Sequence, residues 1–400
     1  MKRILLASAS VVAFAGAAHA DFSISGSTSV WYNDDFNERE NGEPGFSNDL
    51  DFDVTFTQEL NYGLTFAATI GFEYVDSDAG SINNGQTDFG GFTDDNWVVS
   101  VTGDMGGFYF GNTAFAAETY WDGVSNMDAD DFSEADGETV IRGEVMYAGV
   151  TAGVSYLVHN DDVAMGMGTG ELDQMSVGAT GEFGMFNFSI AYQEEADLFY
   201  EMDGDGPDGI AGNDDDTEQF NGDFDTDEVF GIAVGGSFAG ADVTLAYAKN
   251  QTEDASSLGV EVAYPFGPVT VTGFYVAEDD ESNPDQDDNY GVKLDYASGP
   301  IAVSAFYEDG GSEQMGVEGS YDVGNGIMVY AGYVDEGDKE DGTPESEYFY
   351  IASEIDLGGG ASVLFSYADV DDPAAADTAL DEIGANDYFL GTTIRATFSF

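Results

Sequence analysis

Alternation of apolar and polar residues, repeated in segment after segment, is what most restricts the fold of this chain. In the first such segment Phe22, Ile24, Gly26, Thr28, Val30 and Tyr32 share one face, and Ser23, Ser25, Ser27, Ser29 and Trp31 the other. Residues 49–60 set Leu50, Phe52, Val54 and Phe56 against Asp49, Asp51, Asp53, Thr55 and Thr57, and residues 64–75 repeat the pattern around Phe66, Ala68, Ile70, Phe72 and Tyr74. Successive side chains of an extended strand point to opposite sides, so each segment has one face for hydrocarbon and one for water. Beyond the first twenty residues no window holds 18 consecutive apolar residues, which excludes helical spans. Short alternating strands closed into a barrel cross a membrane while average hydropathy stays low, here −0.20.

The two ends of the chain agree with export to an outer membrane. Lys2 and Arg3, an apolar run from Ile4 to about Ala18, and the triplet Ala18-His19-Ala20 read as a secretory signal over residues 1–20, with cleavage expected before Asp21. The barrel is expected to occupy residues 21–400. Its last segment alternates Ile394, Ala396, Phe398 and Phe400 with Thr393, Arg395, Thr397 and Ser399. Phe398 and Phe400 are the expected C-terminal assembly signal, with a ring at the lipid headgroup level.

Eight basic residues stand against 79 acidic ones, for a formal net charge of −71. Nucleic acid is excluded as a partner, because phosphate binding needs a basic patch and none exists. Hydrophobic residues at 42% and aromatics at 14% argue against disorder. With no cysteine, disulfides, thiolate chemistry and cysteine metal sites are absent.

Gly-containing turns such as Asn61-Tyr62-Gly63, Asp104-Met105-Gly106, Phe183-Gly184, Ala239-Gly240 and Gly358 to Gly360 alternate with longer acidic segments. Short turns at one end and long loops at the other are the arrangement of outer-membrane barrels. Counting segments gives roughly twenty strands. Aromatics near segment ends, among them Trp31, Tyr32, Tyr74, Trp97, Tyr109, Tyr192, Tyr275, Tyr307 and Tyr350, are expected to form two girdles at the membrane interfaces.

The turn Asp356 to Ser362, the run to Asp369, the Phe-ended last strand, and Gly107-Phe108-Tyr109-Phe110-Gly111-Asn112 followed by Thr113 to Glu118 resemble the general porins of Gram-negative bacteria, of the α-proteobacterial, Rhodobacter-like type. The expected fold is therefore an all-β, transmembrane antiparallel barrel of about 16–20 strands. The resemblance implies an outer-membrane homotrimer in contact with lipid and lipopolysaccharide. It also implies a third loop that folds into the barrel and narrows it.

The candidate for that loop is residues 113–138, with acidic Glu118, Asp122, Asp128, Asp130, Asp131, Glu134, Asp136 and Glu138 and no base. Its Phe115, Tyr120, Trp121, Val124, Met127 and Phe132 suit packing on an inner wall. Porins of this kind oppose such carboxylates with clustered wall bases. Here strand parity places only Arg142, Lys293 and Arg395 toward the lumen, while Lys249 shares the phase of Val243, Leu245 and Tyr247 and is expected to snorkel at a strand end. Cation selectivity follows, because rings of carboxylates lower the barrier for cations and raise it for anions.

The longest loop carries Asp203, Asp205, Asp208, Asp214 and Asp216, whose oxygen density suits calcium, within one chain or bridging to lipopolysaccharide. It lacks the EF-hand spacing, since Asp208 stands where glycine is required, and a hydrated acidic loop is the blander reading. No other cofactor is implied. Enzymatic activity is not expected: after the signal the one histidine is His159, with no G-x-S-x-G or H-E-x-x-H pattern. The expectation is a water-filled channel for passive diffusion of small ions and hydrophilic solutes. Its alternatives are a substrate-specific porin for a cationic nutrient and an acidic surface or adhesion β-protein.

Overall fold

A computed structural model describes residues 20–34, 45–75, 91–135, 138–159, 171–196, 224–281, 283, 286–310, 312–339, 346–370 and 388–400. Asp136, the signal segment up to His19, and the calcium candidates Asp203, Asp205, Asp208, Asp214 and Asp216 lie outside them. The described residues form twenty strands. The first ten are β1 Ala20–Asn33, β2 Gly45–Glu59, β3 Thr65–Val75, β4 Gly91–Gly103, β5 Gly106–Gly111, β6 Val140–Tyr147, β7 Val150–His159, β8 Glu171–Phe183, β9 Phe186–Gln193 and β10 Val229–Phe238. The others are β11 Ala241–Asn250, β12 Ala255–Phe266, β13 Val269–Asp280, β14 Asn289–Ser298, β15 Ile301–Asp309, β16 Ser312–Gly324, β17 Ile327–Lys339, β18 Ser346–Gly358, β19 Ala361–Val370 and β20 Gly391–Ser399.

Every strand pairs antiparallel with its neighbours in sequence, and β1 pairs with β20, so the sheet closes and has no edge. The seam runs from Ser27 opposite Ser399 to Asn33 opposite Thr393, and Phe400 and Gly26 exchange backbone hydrogen bonds of 3.0 and 3.1 Å at its end. The count sits at the upper end of the expected range.

One end of the barrel carries tight turns. At Asn325-Gly326 both residues have positive φ, 57° and 79°, the geometry that matches hairpin twist and favours Asn-Gly. The other end carries most of the longer connections, with two exceptions that the acidic-loop pattern did not foresee: β11 to β12 crosses in residues 251–254, and β15 to β16 in residues 310–311.

The alternation resolves into two surfaces. Ile24, Phe56, Ile70, Val154, Ile232, Leu245, Leu258, Val292, Ile351 and Phe365 stand exposed on the outside. Among the described residues no helix is long and apolar enough to cross a membrane, and this belt does the crossing instead. At its rim the hydroxyls of Tyr192 and Tyr307 donate to Glu228 and Asp309 at 2.9 and 3.1 Å, and those of Tyr275 and Tyr290 to Asp288 and Asp309. Each of these rings thus has an apolar body toward lipid and a polar tip toward water.

The girdle expectation fails at three residues. Trp31, Tyr109 and Tyr350 pair across the ladder with lumen-side Ser47, Arg142 and Gly332 and lie inside. Trp31 stacks on Phe389 at 5.7 Å, and Tyr350 on Tyr388 at 4.5 Å. Nearness to a strand end brought these rings to notice, but parity decides which side they face.

The buried cores also lie inside the barrel. One, built on Val334, Tyr348, Tyr350, Ala352, Leu364, Ala368, Val370 and Tyr388, lines the lumen face of β17–β19. The others join the connection between β5 and β6 to the wall of β6–β13.

Candidate functional site

That connection lies against the inner wall, and its attachment follows from the wall's small side chains. Lumen-side positions of β7 and β8 include Gly153, Ser155, Ser176 and Gly178; those of β9 to β12 include Ser189, Ala191, Gly231, Ala233, Ala246, Ala248, Ser257 and Gly259. A wall this shallow lets another backbone approach. An added Cβ at Gly178 would stand 2.3 Å from the Ala116 carbonyl oxygen, and one at Gly231 would stand 2.5 Å from the Trp121 ring.

The loop holds one short helix, α1 Ala116–Tyr120. The first amides of any helix lack intrahelical partners. Here the Ala116 and Ala117 N–H groups donate to Ser155 and Ser176 Oγ at 2.8 and 2.7 Å, and Phe115 N–H donates to Glu118 at 2.8 Å. Farther along, Asp122 and Ala129 N–H donate to Ser189 and Ser257 Oγ at 3.2 and 2.9 Å, and Ser133 N–H to Gln193 Oε1 at 2.8 Å.

Side chains reinforce this hydrogen-bonded track. Phe115 is fully buried with Val140, Leu157 and Phe224. Val124, Met127 and Ala129 pack on Ala233, Ala246, Ala248 and Val276, and Phe132 on Ala191 and Val229. The loop tip is held by wall carboxylates: Ser125 Oγ donates to Glu261 and Asn126 Nδ2 to Glu308, both at 2.8 Å, and Asp128 N–H to Glu278 at 3.2 Å. A second segment clamps the returning limb, where Ser133 Oγ and Gln174 Nε2 donate to the Asp225 carbonyl at 2.6 and 2.5 Å.

The loop carboxylates divide by role. Asp122, Asp128, Asp131 and Glu134 are exposed to the lumen, though Asp128 also accepts from Gln286 Nε2 and Asn289 Nδ2 at 2.6 and 2.9 Å. Glu118 and Asp130 are turned inward and hold structure, and Glu138 is buried, its backbone carbonyl accepting from Asn112. Glu118 accepts from Phe115 and Ala135 amides, and burial raises its pKa. Asp130 accepts Trp121 Nε1–H at 2.8 Å, and burial pushes its carboxyl up to about 6. Treating all eight as pore charges did not allow for this division, which acidity alone cannot reveal.

The three lumen-side bases are equally unlike one another. Arg142 is 8% exposed and covered by the loop, donating through Nη1 to the Ala114 carbonyl at 2.7 Å and to Thr119 Oγ1. Lys293 is open to water, 3.9 Å from Asp295. Arg395 pairs across the ladder with Leu364 and Trp31. Lys249 points outward at a strand end and meets Asp254 at 3.7 Å. Wall carboxylates Glu261, Glu278 and Glu308, and the serine and glycine track, were not singled out from sequence. Their signal was present, as small residues at every second position in consecutive strands.

In a closed ring of twenty strands β2 lies opposite β12. That facing wall is lined by Ser23, Ser25, Ser27 and Ser29 of β1 paired with Thr55, Asp53, Asp51 and Asp49 of β2. Asp49, Asp51 and Glu73 bring carboxylate oxygens within 4.8 Å of one another. The water path thus runs between two acidic surfaces.

Engineered variants of the Rhodopseudomonas blastica porin align at 18% identity over 72% of this chain and 95% of theirs, with a TM-score of 0.45, or at 14% over 95% and 100%, with 0.44. No curated protein matches. The pattern of the Gram-negative porin family matches residues 7–208 and 196–334, and the chain belongs to that family.

Proposed function

We propose that this outer-membrane diffusion channel is cation-selective and passes small hydrophilic solutes passively. One observation carries the reading: the water-facing carboxylates Asp122, Asp128, Asp131 and Glu134 of the loop stand across the lumen from Asp49, Asp51 and Glu73, while the loop covers Arg142. Lys293 and Arg395, dispersed on β14 and β20, leave the lumen strongly negative. Fields of one sign in a low-dielectric passage concentrate counter-ions, and carboxylate rings oppose anions. The signal at residues 1–20, homotrimer assembly and contact with lipopolysaccharide belong to the same reading and rest on the sequence and the family.

Single-channel recording in planar bilayers under a salt gradient tests it. The reversal potential should lie toward the cation equilibrium potential. Asp122, Asp128 and Asp131 changed together to Asn should move it toward zero. A wild-type reversal potential on the anion side would falsify the selectivity.

A further inference from the structure

Among bases whose side chains are described, Arg142 is the buried one, and its surroundings give it a role that a lumen charge would not have. Its guanidinium lies 4.8 Å from the Tyr109 ring centroid and bonds the Ala114 carbonyl and Thr119 Oγ1. Thr119 Oγ1 in turn donates to the Phe115 carbonyl at 2.7 Å. Tyr109 and Tyr120 hydroxyls both donate to Glu144, at 3.0 and 2.8 Å. Glu118 ties the start of α1 to the returning limb at Ala135. One guanidinium therefore stands amid two carboxylates, Glu118 and Glu144, where β5, β6, α1 and the end of the loop meet.

We propose that Arg142 is the positioning residue of the constriction. It sets aperture and selectivity by pinning the root of the loop, without facing the solute. The argument rests on the channel reading above, and on cation selectivity only for the sign of one readout. A guanidinium presents donors in a rigid fork, and here one nitrogen holds two loop oxygens. Without it, the Ala114 carbonyl loses its donor and half-buried Glu118 loses a positive charge that favours its ionised form. Relief comes from the loop withdrawing from the barrel toward its mouth, which carries Asp122 away from the water path and widens it.

The two roles of Arg142 predict opposite signs. If it acted as a lumen charge, its removal would strengthen cation preference. As a pin, Arg142→Met should raise single-channel conductance, add current noise, and move the reversal potential toward zero. Weaker selectivity follows because fields fade over a Debye length of about 8–10 Å, so a wider aperture is less controlled by its walls.

Recording should use the full barrel, with heat-modifiable gel migration as the check on folding. Arg142→Lys keeps the charge but loses the fork, and should recover selectivity more than quiet, narrow conductance. Thr119→Val removes one partner without altering charge and should shift conductance in the same direction as Arg142→Met. It also carries the test if Arg142→Met does not fold. Unchanged conductance in both Arg142→Met and Thr119→Val, or a stronger cation preference in Arg142→Met, would overturn the proposal. A wild type that prefers anions would sink the selectivity reading, while the conductance comparison would still test the pin.

Discussion

The wall of β7–β13 and the wall of β1–β4 have the same alternation, the same apolar exterior and lumen faces rich in short side chains, yet one carries a loop and the other carries water. The difference lies in how the short residues are arranged. On the loop-bearing wall glycine and alanine sit beside serine at successive lumen positions, so a backbone can come close enough for Ser155, Ser176, Ser189 and Ser257 to accept its amides. On the other wall Ser23, Ser25, Ser27 and Ser29 stand beside threonine and aspartate, whose carboxylates favour hydration. A stretch of small residues makes a docking surface only where its hydroxyls meet unpaired donors and its glycines admit the backbone.

The largest effect should come from filling that shallow wall. Gly178→Leu would drive a side chain into Ala116 and Tyr120, since its Cβ alone stands 2.9 Å from the Tyr120 Cβ. Overpacking of this kind costs about 1–3 kcal/mol, and withdrawal of the loop from the barrel toward its mouth relieves it. Conductance should rise. Ser25→Leu on the opposite wall projects into open lumen and should lower it instead. Equal effects from the two changes, in single-channel recordings, would erase the distinction between the walls.

A smaller effect is expected from Ser155→Ala with Ser176→Ala, which leaves the Ala116 and Ala117 amides buried without acceptors. Each orphaned donor costs about 1–3 kcal/mol, borne by the loop's attachment rather than by the twenty-strand ladder. Amide hydrogen exchange should quicken across residues 115–121 and stay slow in the strands. Ser23→Ala with Ser25→Ala, exposed to water, should leave exchange unchanged.

The barrel was legible because its rule is local. A period of two and a turn every few residues place Leu50 outside and Asp51 inside with no knowledge of the rest of the chain. The site was legible only in outline, because its roles are set by what lies across the lumen. Nothing near Glu118 in sequence says that it will bond Ala135, and nothing near Arg142 says that Ala114 and Thr119 will cover it. Parity assigned Arg142 to the lumen side, and only the folded loop shows that this side is dry. Trp31 and Tyr350 illustrate the converse error, since aromatic identity at a strand end overrode a parity that was already readable.

The smallest expected effect is a pH dependence confined to the loop-bearing side. Burial pushes Asp130 and Asp225 up to about 6, against the ordinary 3.8, and neighbouring charges are acidic: Asp131 and Asp128 near Asp130, and Asp227, Asp131 and Glu253 near Asp225. A carboxyl whose folded pKa is raised contributes stability that is fully present below 3.8 and is lost as pH rises through about 6. The loop should therefore be held more firmly at pH 5 than at pH 8, with current noise growing across that interval. Asp130→Asn keeps an oxygen acceptor for Trp121 Nε1–H and removes the charge, so it should flatten much of the increase. Noise that falls toward pH 8, or that rises equally in the variant, would move the titrating group away from Asp130 and toward other carboxylates.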